Sequence, residues 1–261
     1  THDFNIAIGS NALAVQNAGA DAYNIAIGHN AGTAVITGTN NTLIGGLAGD
    51  AITTGSANTS VGKDSLSANT TASSNTAVGY GAMTTNTTGA NNTASGRNSL
   101  YFNTTGANNI ALGMQALLNN TTASDNVAVG YQALYANTTG ANNTALGAYA
   151  LDANTTAASN TAVGQAAAGA NTTGTRNTVV GHEALRFNTT GSDNTALGVG
   201  AMSANTTGAT NTAVGKSALT ANTTATSNTA VGKSALATNT TGAANTAVGK
   251  DALLDNTTGT N

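Results

Sequence analysis

The chain contains no cysteine, no proline and no tryptophan, and only 7% of its 261 residues are charged and 3% aromatic. The lack of cysteine excludes a disulfide framework and any thiolate metal site. Seven Lys and Arg against ten Asp and Glu leave a formal net charge of −3 and no basic patch, so nucleic-acid binding has no electrostatic support. No stretch approaches the ~18 consecutive apolar residues of a membrane helix. The opening residues lack the basic and apolar regions of a signal peptide. The first residue is Thr1 and not Met, which reads as a processed chain or a fragment. With so few large side chains to offset the entropy of ordering, composition alone points toward low-complexity disorder.

Repetition changes that reading. Asn opens a recurring N-T-A-V-G string at 24, 41, 58, 75, 92, 109, 126, 143, 160, 177, 194, 211, 228 and 245, always seventeen residues apart. The consensus is N-T-A-V-G-x-x-A-L-x-x-N-T-T-G-x-x, and residues 24–261 hold fourteen units without insertion or deletion. An earlier copy, Asn5-Ile6-Ala7-Ile8-Gly9, lies nineteen residues before Asn24, so residues 1–23 read as an irregular N-terminal coil or cap. A solenoid coil must return to the same place after each turn, which uninterrupted spacing satisfies. Seventeen residues suit two short strands and two tight turns, with coils stacked about 4.8 Å apart into a rod of roughly 65–70 Å. The expected fold is all-β: a parallel β-roll solenoid of 17-residue coils.

The fourth position (Val78, Val129, Leu197) and the ninth (Met83, Leu134, Leu219) are large and apolar. Both columns are expected to point into the coil. Ala dominates the third and eighth positions, as at Ala77 and Ala82, and strand alternation would turn those alanines outward as a flat apolar surface. Gly fills the fifth position in every unit, as at Gly79, which suits a turn with positive φ. The fifteenth is Gly except for Ala72, Ala123, Ala157 and Ala225, so that turn need not require glycine. Asn at the first position (Asn75) and the twelfth (Asn137) suits turns and coil-to-coil amide ladders. Val35 and Ile52 take the twelfth position in the first two regular units.

The string Ala77-Val78-Gly79-Tyr80-Gly81-Ala82-Met83 resembles the head repeats of trimeric autotransporter adhesins, as do Asn5 to Gly9 and Asn24 to Gly28. The longer unit from Gly130 to Gly140 is similar to repeats in phage tail fibres and large bacterial surface proteins. Those units are shorter in the adhesins, which lack the N-T-T-G-x-x half. The resemblance implies a parallel homotrimer forming a rod, and an outward alanine face gives that a separate rationale. It further implies a structural and adhesive fibre segment, extracellular on a virion tail or a bacterial surface. Its partners would be itself and a host-cell surface glycan or protein receptor, with no nucleic acid and no membrane insertion. A phage tail fibre or related receptor-binding fibre is the leading expectation. A bacterial trimeric adhesin head or surface filament is the alternative.

No chemistry-bearing cluster emerges. His2, His29 and His182 have no partner at ligand spacing, so no metal is expected, and no cofactor motif is present. The carboxylates scatter over different columns, so no catalytic residues are assigned. N-T-T matches the glycosylation sequon in many units, but turn chemistry accounts for the same residues. The Thr-Thr pairs, such as Thr87-Thr88 and Thr104-Thr105, raise an ice-binding solenoid as a further alternative. The sixth, tenth and eleventh positions vary most and carry Tyr80, Arg97, Tyr101, Phe102, Tyr131, Tyr135, Arg186 and Phe187. These eight are the candidate surface contacts, because aromatic faces stack on sugars and Tyr and Arg anchor interfaces.

Overall fold

The computed structural model describes residues 4–18 and 21–260. The rest of the expected N-terminal cap, including His2 and Asp3, lies outside the described residues. The protein is a parallel β-solenoid of seventeen-residue coils, with no helix among the described residues. It divides into two compact units, residues 1–128 and 129–261. The first holds β1 (Ile6–Ile8), β2 (Ile25–Ile27), β3 (Thr42–Ile44), β4 (Thr59–Val61), β5 (Thr76–Val78), β6 (Thr93–Ser95) and β7 (Ile110–Leu112). β8 (Val127–Val129) falls at the division. The second holds β9 (Thr144–Leu146), β10 (Thr161–Val163), β11 (Thr178–Val180), β12 (Thr195–Leu197), β13 (Thr212–Val214), β14 (Thr229–Val231) and β15 (Thr246–Val248). Within each unit neighbouring strands are parallel and in register, so Thr76, Ala77 and Val78 face Thr93, Ala94 and Ser95, and Thr195 faces Thr212.

Each coil has one strand, not the expected two. The return run is broken by left-handed residues at the seventh and ninth positions, Asn98 at φ 54° and Leu100 at φ 50° in one coil, which extended backbone does not allow. It stacks through separate bonds instead. The Leu100 N–H donates to the Ala116 carbonyl at 2.9 Å, and the Phe102 N–H to the Leu118 carbonyl at 3.0 Å.

The strand faces the other way from the expectation. Ala77 is fully buried and Val78 is 38% exposed. Position three shares the inner face with the first-position Asn, and opposite a ninth-position leucine it carries a small side chain, Ala in most coils, with Ser60 opposite Leu66 and Val179 opposite Leu185. The alanine columns therefore line the core with Leu100, Leu117 and Leu134, while Thr at position two and Val at position four point outward. Gly79 has φ 131°, and a Cβ there would sit 2.7 Å from the Gly96 carbonyl oxygen. Coil stacking as well as the turn keeps this column glycine.

Closure of each coil depends on asparagine. Asn75 and Asn86 each donate a carboxamide N–H to the same carbonyl, that of Gly89, at 3.0 and 2.9 Å. The next coil repeats this with Asn92 and Asn103 on Gly106, both at 2.9 Å. One inward carbonyl, with two lone pairs, thus ties the first and twelfth positions to the fifteenth. The asparagines also link coils: the Asn92 backbone N–H donates to Asn75 Oδ1 at 2.9 Å, and Asn103 Nδ2 donates to Asn86 Oδ1 at 2.7 Å. These carboxamides are fully buried, so the N-T-T asparagines Asn86 and Asn103 present no amide for glycosylation.

The ninth-position leucine adopts the left-handed region at a cost of roughly 1–2 kcal/mol, which its burial offsets at about 1.5–3 kcal/mol. The balance is close, and two coils solve it otherwise. Gly32 and Gly49 hold the same backbone at φ 58° and 55°. A Cβ on Gly49 would meet Ile52 Cδ1 and Leu43 Cδ2 at 2.8 Å. Ile52 and Leu43 occupy the volume that a ninth-position leucine fills elsewhere, and Leu13, Val35, Leu43 and Ile52 form one cluster. The missing twelfth-position asparagines at 35 and 52 are thus the counterpart of glycine at 32 and 49.

Two outcomes follow. Asn92→Leu should lower the unfolding free energy by about 2–4 kcal/mol in urea titration, because the Asn109 N–H loses its acceptor and the Gly106 carbonyl loses one donor. A change within ~0.5 kcal/mol, the range of neutral surface substitutions, would contradict the closure role. Gly49→Leu alone should destabilise by overpacking, whereas Leu43→Ala with Gly49→Leu and Ile52→Asn should recover most of the loss. Additive damage from the three changes would refute the exchange of volume.

Candidate functional site

The coil interior fixes the backbone outline, so the residues that differ between coils project from the run spanning positions six to eleven. The two larger of the surface grooves found there among the described residues lie one in each compact unit. The first, of about 510 Å³, is lined by Asp64, Tyr80, Gly81, Arg97, Asn98 and Tyr101. The second, of about 500 Å³, has Tyr149 and Asp152 on one side, Arg186 and Phe187 on the other, and Gly169 and Ala170 between.

Both arise by removal of side chains from one coil while the backbone stays in register. In the first, Gly81 leaves the gap, and its N–H still donates to the Lys63 carbonyl at 3.0 Å. A Cβ on Gly81 would lie 2.6 Å from Asn98 Oδ1 and 3.4 Å from the Tyr101 ring. In the second, the run from Gln165 to Ala170 carries only Ala and Gly after Gln165. The Ala153 N–H donates to the Gly169 carbonyl at 3.1 Å, and the Ala170 N–H to the Arg186 carbonyl at 2.9 Å. The groove therefore spans three successive coils, with an aromatic and a carboxylate before the gap and an Arg and an aromatic after it.

Arg186 in the second groove and Lys63 beside the first are paired. Arg186 Nη1 meets Glu183 Oε1 at 2.5 Å, and its guanidinium lies 5.0 Å from the Phe187 ring centre. Lys63 meets Asp64 at 3.3 Å and sits 5.8 Å from the Tyr80 ring centre. Asp152 has no cationic partner, and burial raises its carboxyl above the usual range against the lowering effect of backbone N–H groups at Asp152 and Ala153.

Of the eight expected surface residues, the structure gathers Tyr80, Arg97 and Tyr101 in the first groove and Arg186 and Phe187 in the second. Phe102 stands beside the first, edge-on to Tyr101 at 4.7 Å. Tyr131 packs edge-on against Tyr149 at 5.1 Å, buttressing a wall of the second. Tyr135 lines neither groove. Asp64, Gly81, Tyr149, Asp152 and Gly169 were not anticipated, and the signal for them lay in the gaps. A groove shows in sequence as a coil that is small at positions seven or ten between two coils that are not.

The Thr-Thr pairs divide their roles. Thr87 Oγ1 donates to the Thr104 carbonyl at 2.9 Å and Thr104 Oγ1 to the Thr121 carbonyl at 3.0 Å, so the first hydroxyl of each pair belongs to the ladder. The second, as at Thr88 and Thr105, is exposed. His29 and His182 are also exposed. No group of three or more His, Cys, Asp or Glu residues that could hold a metal ion occurs among the described residues.

The raised Asp152 pKa carries a sign. The folded chain holds this proton more tightly than the unfolded chain, so stability falls as the pH climbs from the ordinary value of 3.8 through the raised one. Asp152→Asn should therefore raise the melting temperature near pH 7 and leave it nearly unchanged near pH 3. An equal shift at both values would show that desolvation of the carboxylate is not the cause.

No family model, curated protein or solved structure matches this chain.

Proposed function

We propose that this chain is a structural and adhesive fibre segment, assembled as a parallel homotrimer and presented outside the cell on a virion tail fibre or related receptor-binding fibre. The supporting observation is the outward strand face. Positions two and four carry only Thr, Ile, Val, Leu and one Ser across all fourteen regular units, with no charge in either column. Val78, Leu146 and Val180 on this face are 38%, 36% and 41% exposed. Within each compact unit, an uncharged stripe of Thr and branched aliphatic side chains favours burial against a partner. Parallel copies set identical columns side by side. The inner alanines cannot serve that purpose, so the assembly reading rests on the Thr and Val columns in their place.

The repeat resemblance supplies the number three and the attachment role. A bacterial adhesin head or surface filament uses the same architecture and is the alternative within this class. The ice-binding alternative is weakened because the first threonine of each pair is tied into the ladder. A non-enzymatic role accords with a regular surface whose carboxylates are dispersed.

Sedimentation of the purified chain should give a species near three times the single-chain mass of 25.2 kDa. Val163→Lys combined with Val214→Lys should return it to the single-chain mass with the β circular dichroism retained, since both side chains point outward from β10 and β13. A native chain sedimenting at 25.2 kDa at micromolar concentration would refute the assembly.

A further inference from the structure

We infer that the two grooves are saccharide subsites, each taking a hexopyranose unit of a surface glycan, a neutral one in the second groove. The inference rests on the adhesive reading and names its ligand class. Three observations carry it. First, each groove opens where one coil lacks side chains that its neighbours carry: at Gly81 alone in the first, beside Tyr80 and Thr84 of the same coil, and over the whole Ala-Gly run after Gln165 in the second, where the flanking coils stand two stacking intervals apart, about 9.6 Å. Such a gap admits a ring but not a helix. Second, the walls combine aromatic surface with hydrogen-bonding groups of both kinds. Tyr149 and Phe187 are 38% and 51% exposed, and Tyr80 is 51% exposed. Beside them stand the Asp152 carboxylate, the Gln165 amide and the Arg186 guanidinium. A hexopyranose has an apolar C–H face for the rings and hydroxyls that both donate and accept. Third, Arg186 already holds Glu183, and Lys63 already holds Asp64. Asp152 adds a negative charge to the second groove. An anionic sugar thus meets no uncommitted cation in the second groove, and a neutral one is preferred there; the first groove carries Arg97, which none of the ion pairs engages.

Gly169 gives a clean way to close the second groove. Its φ is not in the left-handed region, and the atoms nearest to a Cβ there would be Asp152 Oδ1 at 3.1 Å and the Ala166 and Tyr149 carbonyl oxygens at 3.4 and 3.6 Å. The same column carries Tyr101 and Tyr135 in other coils, so tyrosine suits the frame. For the first groove, Gly81→Asn places an amide against Asn98 Oδ1, a buried acceptor without a donor, as Asn11 Nδ2 does for Asn30 Oδ1 at 3.1 Å.

The test is saturation-transfer NMR on the full chain with maltotriose, galactobiose and mannotriose, and sialyllactose as the anionic control. At least one neutral sugar should receive saturation from Tyr and Phe ring protons. Phe187→Ala in a chain carrying Gly81→Asn should weaken it about tenfold, the equivalent of ~1.4 kcal/mol. Gly169→Tyr with Gly81→Asn should abolish transfer while circular dichroism stays native. Transfer to none of the neutral sugars, to sialyllactose alone, or undiminished transfer in the doubly closed chain would overturn the inference. Sedimentation separates the two readings: a single chain that binds sugar removes the trimer and keeps the subsites, and a trimer that ignores every sugar does the reverse.

Discussion

A carbonyl that points into the core of each coil must find hydrogen-bond partners there, and the rest of the structure depends on how it does. At the fifteenth position it receives two carboxamides, one from the start of the coil and one from the twelfth position. An inward carbonyl left unpaired costs about 1–3 kcal/mol, a large sum for a coil whose only sizeable apolar side chain is one leucine. The same asparagines accept from the coil beyond and donate to the coil before. Closure and stacking are therefore one network, and a substitution in it affects both. This explains how a chain so poor in large side chains orders at all: the core is a mixed one, of methyl groups, a single Leu or Met at the ninth position of most coils and a satisfied amide ladder.

Because the interior dictates the outline, the exterior is free to vary without disturbing the frame. The sixth to eleventh positions hold Tyr, Phe, Arg, Lys, Gln, Asp, Ala and Gly on the same backbone path. Subtraction is as informative there as addition. Gly81 and the Ala-Gly run after Gln165 open space that the backbone does not close, since its ladder bonds persist through the gap. A regular solenoid is thus a carrier on which two local irregularities create the concave surfaces. The flat Thr and Val face, by contrast, is uniform, as a surface for self-association needs to be.

Much of this was legible from residues alone. The fixed period specified stacked coils, and Gly79 marked a turn where only glycine fits. Which face of the strand points inward was not recovered, for an instructive reason. In Thr-Ala-Val the larger apolar residue is the natural choice for the inside, yet it is Ala94 that is buried with Leu100 while position four is exposed. Size uniformity was the better guide. Position three is almost always Ala, while position four ranges over Ile, Val, Leu and Ser95, and a close-packed interior tolerates one size where an outer face tolerates several. Left-handed residues at positions seven and nine, which abolish the second strand, leave little trace in sequence, because Leu, Gln, Tyr and Asp all occupy them. The convergence of two asparagines on one carbonyl was also hidden, since ladder and closure roles call for the same residue.

The most direct measurement is hydrogen exchange of the asparagine side-chain amides, followed by nitrogen-edited NMR with the exposed Asn91 as internal reference. The Nδ2 protons of Asn92, Asn103 and Asn109 should exchange as slowly as the strand amides of β5 and β6. Exchange of those buried carboxamides at the rate of Asn91 would mean that the coils are not closed by asparagine.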